Sequence, residues 1–389
     1  MKSSNDSGEM GPVDLSCDGR PSVDKRVEKK LKPMSGLTVY RSWDEINAPS
    51  FVNDWLHWLD CDPDPHVFYH PVLVRSWCDT YRSFQDVSPL FCVAEIDGIT
   101  VFLPLVIWRR SWKNAFLRMI VPVGFAEFDY HDPVVAGPRN ASIMKRFWAM
   151  VERELSGNPK IRYDTIDTSG WRFAYGEDGW EKSEDVCPFV DLNPYADFAD
   201  YFSKISKSLR QDIGRQKRRM AEAGELRFRV ITAAEGADAL GMLPRFLEMH
   251  VKRWPNAFRA PGFHEAVLRN GVPAGIVHFS TLQLGSEPIS WHLGFRYRNR
   301  YYYYLPVFLE QYAAYSPSKV HLSYLKEDCF AHGKGIFDYL RGAESYKSGW
   351  ASDVAPLYEF RKESASLQAL LKRGAFEGIQ ALKRLHAGN

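Results

Sequence analysis

A chain of 389 residues, 45% hydrophobic and 25% charged, has a globular rather than a disordered composition and is long enough for two cores. Its net charge of +2 excludes a generally polybasic nucleic-acid-binding protein, so any basic surface is local. The six cysteines (Cys17, Cys61, Cys78, Cys92, Cys187 and Cys329) form no CxxC pair and no zinc-type spacing, and most have apolar neighbours, the pattern of reduced, buried thiols.

Residues 1–34 are too polar to offset the entropy of ordering and contain no apolar core of a secretory signal. No apolar run approaches the roughly 20 residues that span a bilayer, which implies a cytoplasmic protein. Order is expected from the strand Leu37–Arg41, followed by one helix from Ser42 or Asp44 toward Leu59 and another over Pro71–Tyr81. Asp97-Gly98, between two β-branched and aromatic runs, signals a hairpin of residues 90–96 with 99–108. A strand at 116–122, a helix at 142–155, and strands at 163–167 and 188–192 complete this half.

The second half begins with a basic helix, Tyr201 to Ala223, stopped by Gly224. A strand at 226–231, a helix at 237–254, hairpins over 274–307, a helix after Ser316-Pro317 and a strand from Gly335 follow. Both halves thus run helices, hairpins, then turn–helix–strand. This order predicts an α+β duplication of two mostly antiparallel mixed sheets flanked by helices. The expected divisions are 35–193 and 194–362, with a C-terminal amphipathic helix over 363–389.

A strand entering a helix through Ser316-Pro317 leaves backbone N–H groups free at the helix start, which suits either an ordinary cap or an anion such as a pyrophosphate. Ser316 and Lys319 add a hydroxyl and a cation. The run Tyr301–Tyr304 reads as a strand with rings on both faces. Glu127, Asp129, His131 and Asp132 gather in one loop, but no second ligand set at fixed spacing supports a metal, and none is expected.

Tyr315-Ser316-Pro317, then Phe337-Asp338-Tyr339-Leu340-Arg341-Gly342 with Glu344, Tyr346, Lys347 and Trp350, resemble the cellulose-biosynthesis-type acetyltransferase family of the GNAT superfamily. The basic segment Ser206–Arg210 with Arg218, Arg219 and Gly224, and Leu247–His250 with Arg253 and Trp254, add to the likeness, which covers about 195–361. Ser318 departs from it, standing where the family commonly has Gly. The resemblance implies two related lobes with the working site in the second, and acetyl-CoA or another acyl-CoA as co-substrate. Tyr315, Ser316, Pro317, Ser318, Lys319, Val320 and His321 would cradle its pyrophosphate, and the strand near Ile289–Phe295 would open toward its pantetheine arm. It also implies that the Glu127–Asp132 loop faces the acceptor between the lobes.

Acyl transfer to an amine requires a base, oxyanion donors and an acid. Asp338, Glu344 and Lys347 lie at and beyond the last core strand, Tyr346 supplies a phenol, and His292 is a mid-strand imidazole. Each has a structural alternative: Asp338 could pair with Arg341, and His292 could be a core histidine. Arg210, Arg253, Trp254 and Trp291 are the candidate acceptor-binding residues. The leading reading is an N-acyltransferase acting on a small-molecule amine, such as an amino sugar or another precursor of a surface polysaccharide, with no DNA partner. A second takes aminoacyl-tRNA as donor, as in the related Fem-type peptide-bridge transferases, and a third is a non-catalytic member of a polysaccharide synthesis complex. The tail, with Leu367, Leu370, Leu371 and Phe376 among Lys372, Arg373, Lys383 and Arg384, reads either as a cap on its lobe or as a peripheral anchor on the inner membrane face.

Overall fold

The computed structural model describes residues 36–173, 180–255, 257 and 260–387, with side chains as far as 381; the expectation for residues 1–34 lies outside this range. The first half runs β1 (Gly36–Tyr40), α1 (Trp43–Asn47), α2 (Pro49–Cys61), α3 (Pro71–Tyr81), β2 (Asp86–Ile96), β3 (Ile99–Arg109), β4 (Arg118–Pro122), β5 (Val134–Ala136), α4 (Ala141–Gly157), β6 (Thr165–Trp171) and β7 (Glu181–Asp191). The second runs α5 (Phe198–Lys204), α6 (Lys207–Ala223), β8 (Leu226–Val230), α7 (Gly236–Arg253), α8 (Phe263–Gly271), β9 (Val277–Leu284), β10 (Glu287–Tyr297), β11 (Arg300–Phe308), α9 (Pro317–Ala331), β12 (Ile336–Asp338), α10 (Ser345–Ser348), β13 (Asp353–Glu363) and α11 (Leu367–Ala387).

Local chemistry sets two boundaries that hydrophobic spacing misplaces. The single helix expected from Ser42 to Leu59 is broken at Ala48, which is extended (ψ 134°) because it precedes Pro49 at the first position of α2. The basic helix expected from Tyr201 to Ala223 is likewise split. Ser206 is extended, and its hydroxyl accepts from the Leu209 N–H at 3.3 Å to cap α6. The Asp97-Gly98 turn has φ +54° and +80°, as a tight hairpin between right-twisted strands requires.

The thirteen strands of the described residues join in one sheet in the order β1-β2-β3-β4-β6-β13-β7-β12-β11-β10-β9-β8, with β5 beside β3. Read from either end, five strands of one half are followed by the last strand of the other. β13 lies against β6 and β7 lies against β12, so the halves exchange their final strands and meet along β7 and β13. In each half one parallel pair, β4 with β6 or β11 with β12, holds only briefly before its strands part.

The cores follow from strand alternation. Tyr302 and Tyr304 of β11 pack with Phe68 and Phe295 in a core that also takes in α3, α7 and α8. Tyr301 and Tyr303 point to the opposite face, beneath α9, with Phe337 and Tyr339. As far as its side chains are described, the tail helix reverses the polarity of an amphipathic surface anchor; Lys383 and Arg384 lie outside the described side chains. Lys372 and Arg373 are turned inward, 2.8 Å from Asp164 and 2.9 Å from Glu363. Leu367, Leu370 and Leu371 are instead 72%, 52% and 68% exposed. No helix of the described residues is long and apolar enough to cross a membrane.

Candidate functional site: a cleft between the two halves

Where β4 and β6 part, the chain from Gly124 to His131 fills the gap, and the His131 N–H donates to the Gly170 carbonyl at 2.8 Å. Gly170 has φ +73°, and a Cβ there would stand 2.2 Å from the Asp129 carbonyl, so only glycine permits this approach. The loop presents Glu127 and Asp129 to a cleft of about 780 Å³ floored by residues of β6 and β13. Arg110, Arg341 and Phe376 of α11 are among the residues on its walls.

Its charges are unevenly matched. Arg341 is held by Asp185 at 2.6 Å and Glu359 at 2.5 Å, and Arg361 lies 3.6 Å from Asp167. The Tyr81 hydroxyl donates to Glu127 at 2.9 Å, yet burial pushes that carboxyl up to about 7. Burial also raises Asp129 to about 7, against the pull of Lys347 and Arg341 and with the help of Asp338 and Glu344. Among the described residues Asp129 has no hydrogen-bond or ion-pair partner for its carboxylate. Arg110 likewise has no carboxylate partner; its guanidinium lies 4.2 Å over the Trp108 ring.

Asp338 closes the junction behind this loop. At 1% exposure, its carboxylate accepts from Tyr130 Oη at 2.8 Å, Arg300 Nη1 at 2.8 Å and the Leu340 N–H at 2.9 Å. Its cation is therefore Arg300, and Arg341 pairs elsewhere. Lys347 is buried, its Nζ donating to the Arg341 carbonyl at 2.7 Å and pairing with Glu344 at 2.8 Å, which clamps the turn after β12. Glu344 and Tyr346 are exposed, and Arg253 and Glu344 both lie within electrostatic reach of the Tyr346 hydroxyl. Asp338, Glu344 and Lys347 are thus brought within electrostatic reach of Asp129, and Tyr346 lies within reach of Glu344.

His292 is placed apart from them, in β10 beneath α9. Its Nδ1 is 3.0 Å from Tyr301 Oη, which is 3.1 Å from His278 Nδ1; His278 Nε2 is 3.1 Å from Asp328. A carboxylate at the end of this chain requires N–H at His278 Nε2, so Tyr301 donates to His278 and accepts from His292. His292 Nε2 is then a bare, buried acceptor with no partner, and burial holds the ring well below the ordinary histidine pKa.

The expected opening strand, Ile289–Phe295, lies within β10, which is paired on both sides, with β9 and with β11. The strand that opens is β11, which leaves β12 after Tyr302, because a hairpin turn at Arg298-Asn299 intervenes. Its far end leads to the Ser316 turn. Ser316 itself is left-handed, φ +51°, whereas Ser318 is helical in the first turn of α9, so the backbone there does not require the glycine common in the resembling family. Lys319 and Val320 return their N–H groups to the Ser316 carbonyl, leaving Ser318 the first-turn donor without a backbone partner among the described residues. Lys319 pairs with Asp212 at 2.5 Å, and Arg219 lies 4.9 Å over the Tyr315 ring. A free N–H, a helix start and two nearby cations fit a pyrophosphate. Pro317, Val320 and His321 are buried, with the His321 ring between Ser280 and Ser290 at 3.0 Å each.

The candidate acceptor residues do not converge. Arg253 stacks on Trp254 and Phe308, Arg210 lines a groove on α6, and Trp291 is a core residue at 3% exposure. The acids of the Glu127–Asp132 run were visible in sequence, but nothing local marked Arg110. No group of three His, Cys, Asp or Glu side chains that could hold a metal ion occurs among the described residues.

Residues 207–348 match the family model of the acetyltransferase (GNAT) domain, and the enzyme is a transferase of the GNAT type. No curated protein matches the sequence. Among solved structures, FemX aligns with a TM-score of 0.57 at 9% identity, over 80% of this chain and 96% of its own. A conserved protein of unknown function from Bacteroides thetaiotaomicron aligns at 0.50 and 10% identity, over 80% and 97%. A tandem GNAT protein from the clavulanic acid biosynthesis pathway aligns at 0.45 and 11%, over 85% and 99%. At these identities the likeness to FemX and the Bacteroides protein is one of fold.

Proposed function

We propose that the enzyme transfers an acyl group from acyl-CoA to an amine held in the cleft between its halves, with Asp129 as general base. The observation that carries this reading is the unpartnered Asp129 carboxylate, raised to about 7 and wedged by a glycine-dependent loop against the turn that follows β12. A base titrating near working pH is best matched to removing a proton from an ammonium group. When bound, acyl-CoA supplies the thioester carbonyl. Ser318, Lys319 and Arg219 would hold its pyrophosphate, and the open side of β11 would orient its arm. Asp338 and Lys347 shape the turn, and Tyr346 with Glu344 and Arg253 borders its mouth as the candidate proton donor. The sequence resemblance supports an amino sugar or another surface-polysaccharide precursor as acceptor, in the cytoplasm.

The test is CoA release from acetyl-CoA with a panel of primary amines, comparing the parent enzyme with Asp129→Asn. Turnover at the parental rate in the variant overturns the assignment of the base. A second reading keeps the fold and takes aminoacyl-tRNA as donor. The exposed basic face of α6, where Arg210, Arg215 and Arg218 line a groove of about 810 Å³, favours it. Calorimetric titration with acetyl-CoA separates the two, since only the first reading requires binding.

A further inference from the structure

The charges inside the cleft nearly neutralise one another, and what they leave over describes a ligand. Arg341 is taken by Asp185 and Glu359, Arg361 by Asp167 and Glu363, and Lys182 by Glu184. Among the described lining residues this leaves one cation without a carboxylate, Arg110, and two carboxylates without a donor, of which Glu181 is exposed to solvent and Asp129 is half-buried.

Arg110 is held ready. Its backbone N–H donates to the Leu117 carbonyl at 2.8 Å, and its guanidinium carbon stands 4.2 Å from the Trp108 ring centroid. The indole is itself fixed, with Nε1 donating to Gln85 at 3.2 Å and Tyr81 meeting its ring edge-on at 5.5 Å. Contact with an aromatic face covers a face of the guanidinium and consumes none of its N–H groups, which remain able to receive a carboxylate or phosphate in two parallel hydrogen bonds. Half-burial without a counter-charge disfavours this cation unless an anion arrives.

Resting on the acyl-transfer reading, we propose that the acceptor carries an anionic group, a carboxylate or a phosphate, that docks on Arg110 while its amine faces Asp129. The acceptor is therefore zwitterionic at neutral pH, and the same cleft selects it by both ends. Arg110 acts as a specificity residue and takes no proton.

Two matched pairs of amines test this: β-alanine against propylamine for the carboxylate, and glucosamine 6-phosphate against glucosamine for the phosphate. Affinity is measured by calorimetry without acyl-CoA, and acylation by CoA release from acetyl-CoA. The expected result is that the anionic member of at least one pair binds about tenfold or more tightly, the size of one charge-assisted hydrogen bond. The pair that discriminates identifies the anion. In Arg110→Met the preference should collapse to within about twofold, and Arg110→Lys should restore part of it, which a misfolded protein would not. Equal affinities within both pairs, or a preference that survives Arg110→Met, overturns the proposal. Binding preference without acylation sustains the zwitterion site and removes the acyl-transfer reading. Acylation of both members without preference does the reverse.

Discussion

The Tyr130 hydroxyl lies 2.8 and 3.0 Å from the two carboxylate oxygens of Asp338, joining the cleft loop of the first half to β12 of the second. Asp338 also accepts from Arg300, so three groups from separate elements are satisfied in one buried knot. Asp338→Asn should cost about 3–5 kcal/mol in urea denaturation, because it leaves the half-buried Arg300 without its closest counter-charge. Tyr130→Phe should cost about 1–3 kcal/mol. Unchanged stability with lost turnover would instead assign Asp338 to the chemistry.

Asp129 should govern the pH profile. As pH rises through about 7 its base form accumulates, so kcat/KM should climb with unit slope and level off above that value. Asp129→Asn should lower kcat by roughly 10²–10⁴-fold. The raised carboxyl also binds protons in the native state that the unfolded chain releases. Stability is therefore lost as pH rises from the unfolded value, near 4, through about 7. The asparagine variant should consequently melt at a higher temperature than the parent at pH 8, which calorimetry at pH 5 and pH 8 would check.

Ser318→Glu places a carboxylate beside the free donor at the start of α9, facing any bound pyrophosphate. Acetyl-CoA affinity should fall by about tenfold or more, measured by calorimetry, with an unchanged circular dichroism spectrum. Affinity equal to the parent's would move the cofactor away from the Ser316 turn.

Lys326 is fully buried, with its ammonium 3.7 Å over Phe337 and no hydrogen-bond acceptor. Burial drives its pKa well below the ordinary lysine value. Between that lowered value and the unfolded one, about 10.4, the native state binds fewer protons than the unfolded chain, so stability rises as pH climbs through this window. Lys326→Met should add at least about 1 kcal/mol at pH 7, the gain shrinking as pH rises. A destabilised variant would show that the stacking on Phe337 outweighs the desolvation.

Deleting the tail from Ser366 removes the ion pairs of Lys372 and Arg373 together with the packing of the fully buried Ala369. The melting temperature should fall by several degrees, while binding to anionic vesicles, measured by co-sedimentation, should not differ from the full chain. Lost vesicle binding with unchanged melting would restore the anchor.

Much of this architecture is a matter of local chemistry, which a sequence states directly. Pro71 to Tyr81 forms a helix as its spacing requires, Asp97-Gly98 turns a hairpin, and the order of elements repeats as the two halves do. Asp338, Glu344, Tyr346 and Lys347 come together because they are near neighbours in the chain. Other relationships depend on pairings between distant residues, for which short-range periodicity carries no signal. β7 and β13 exchange places because each finds its ladder partners in distant parts of the chain, as in the pairs Ile336 with Asp191 and Glu363 with Thr165. Lys372 and Arg373 turn inward because Asp164 and Glu363 wait there, although the helical pattern alone would display them to solvent. Arg110 and Asp129 share a cleft only because β4 and β6 part and the glycine at 170 lets the loop enter. Which charges remain unpaired is a property of the whole packed charge set, and only the tertiary structure decides it.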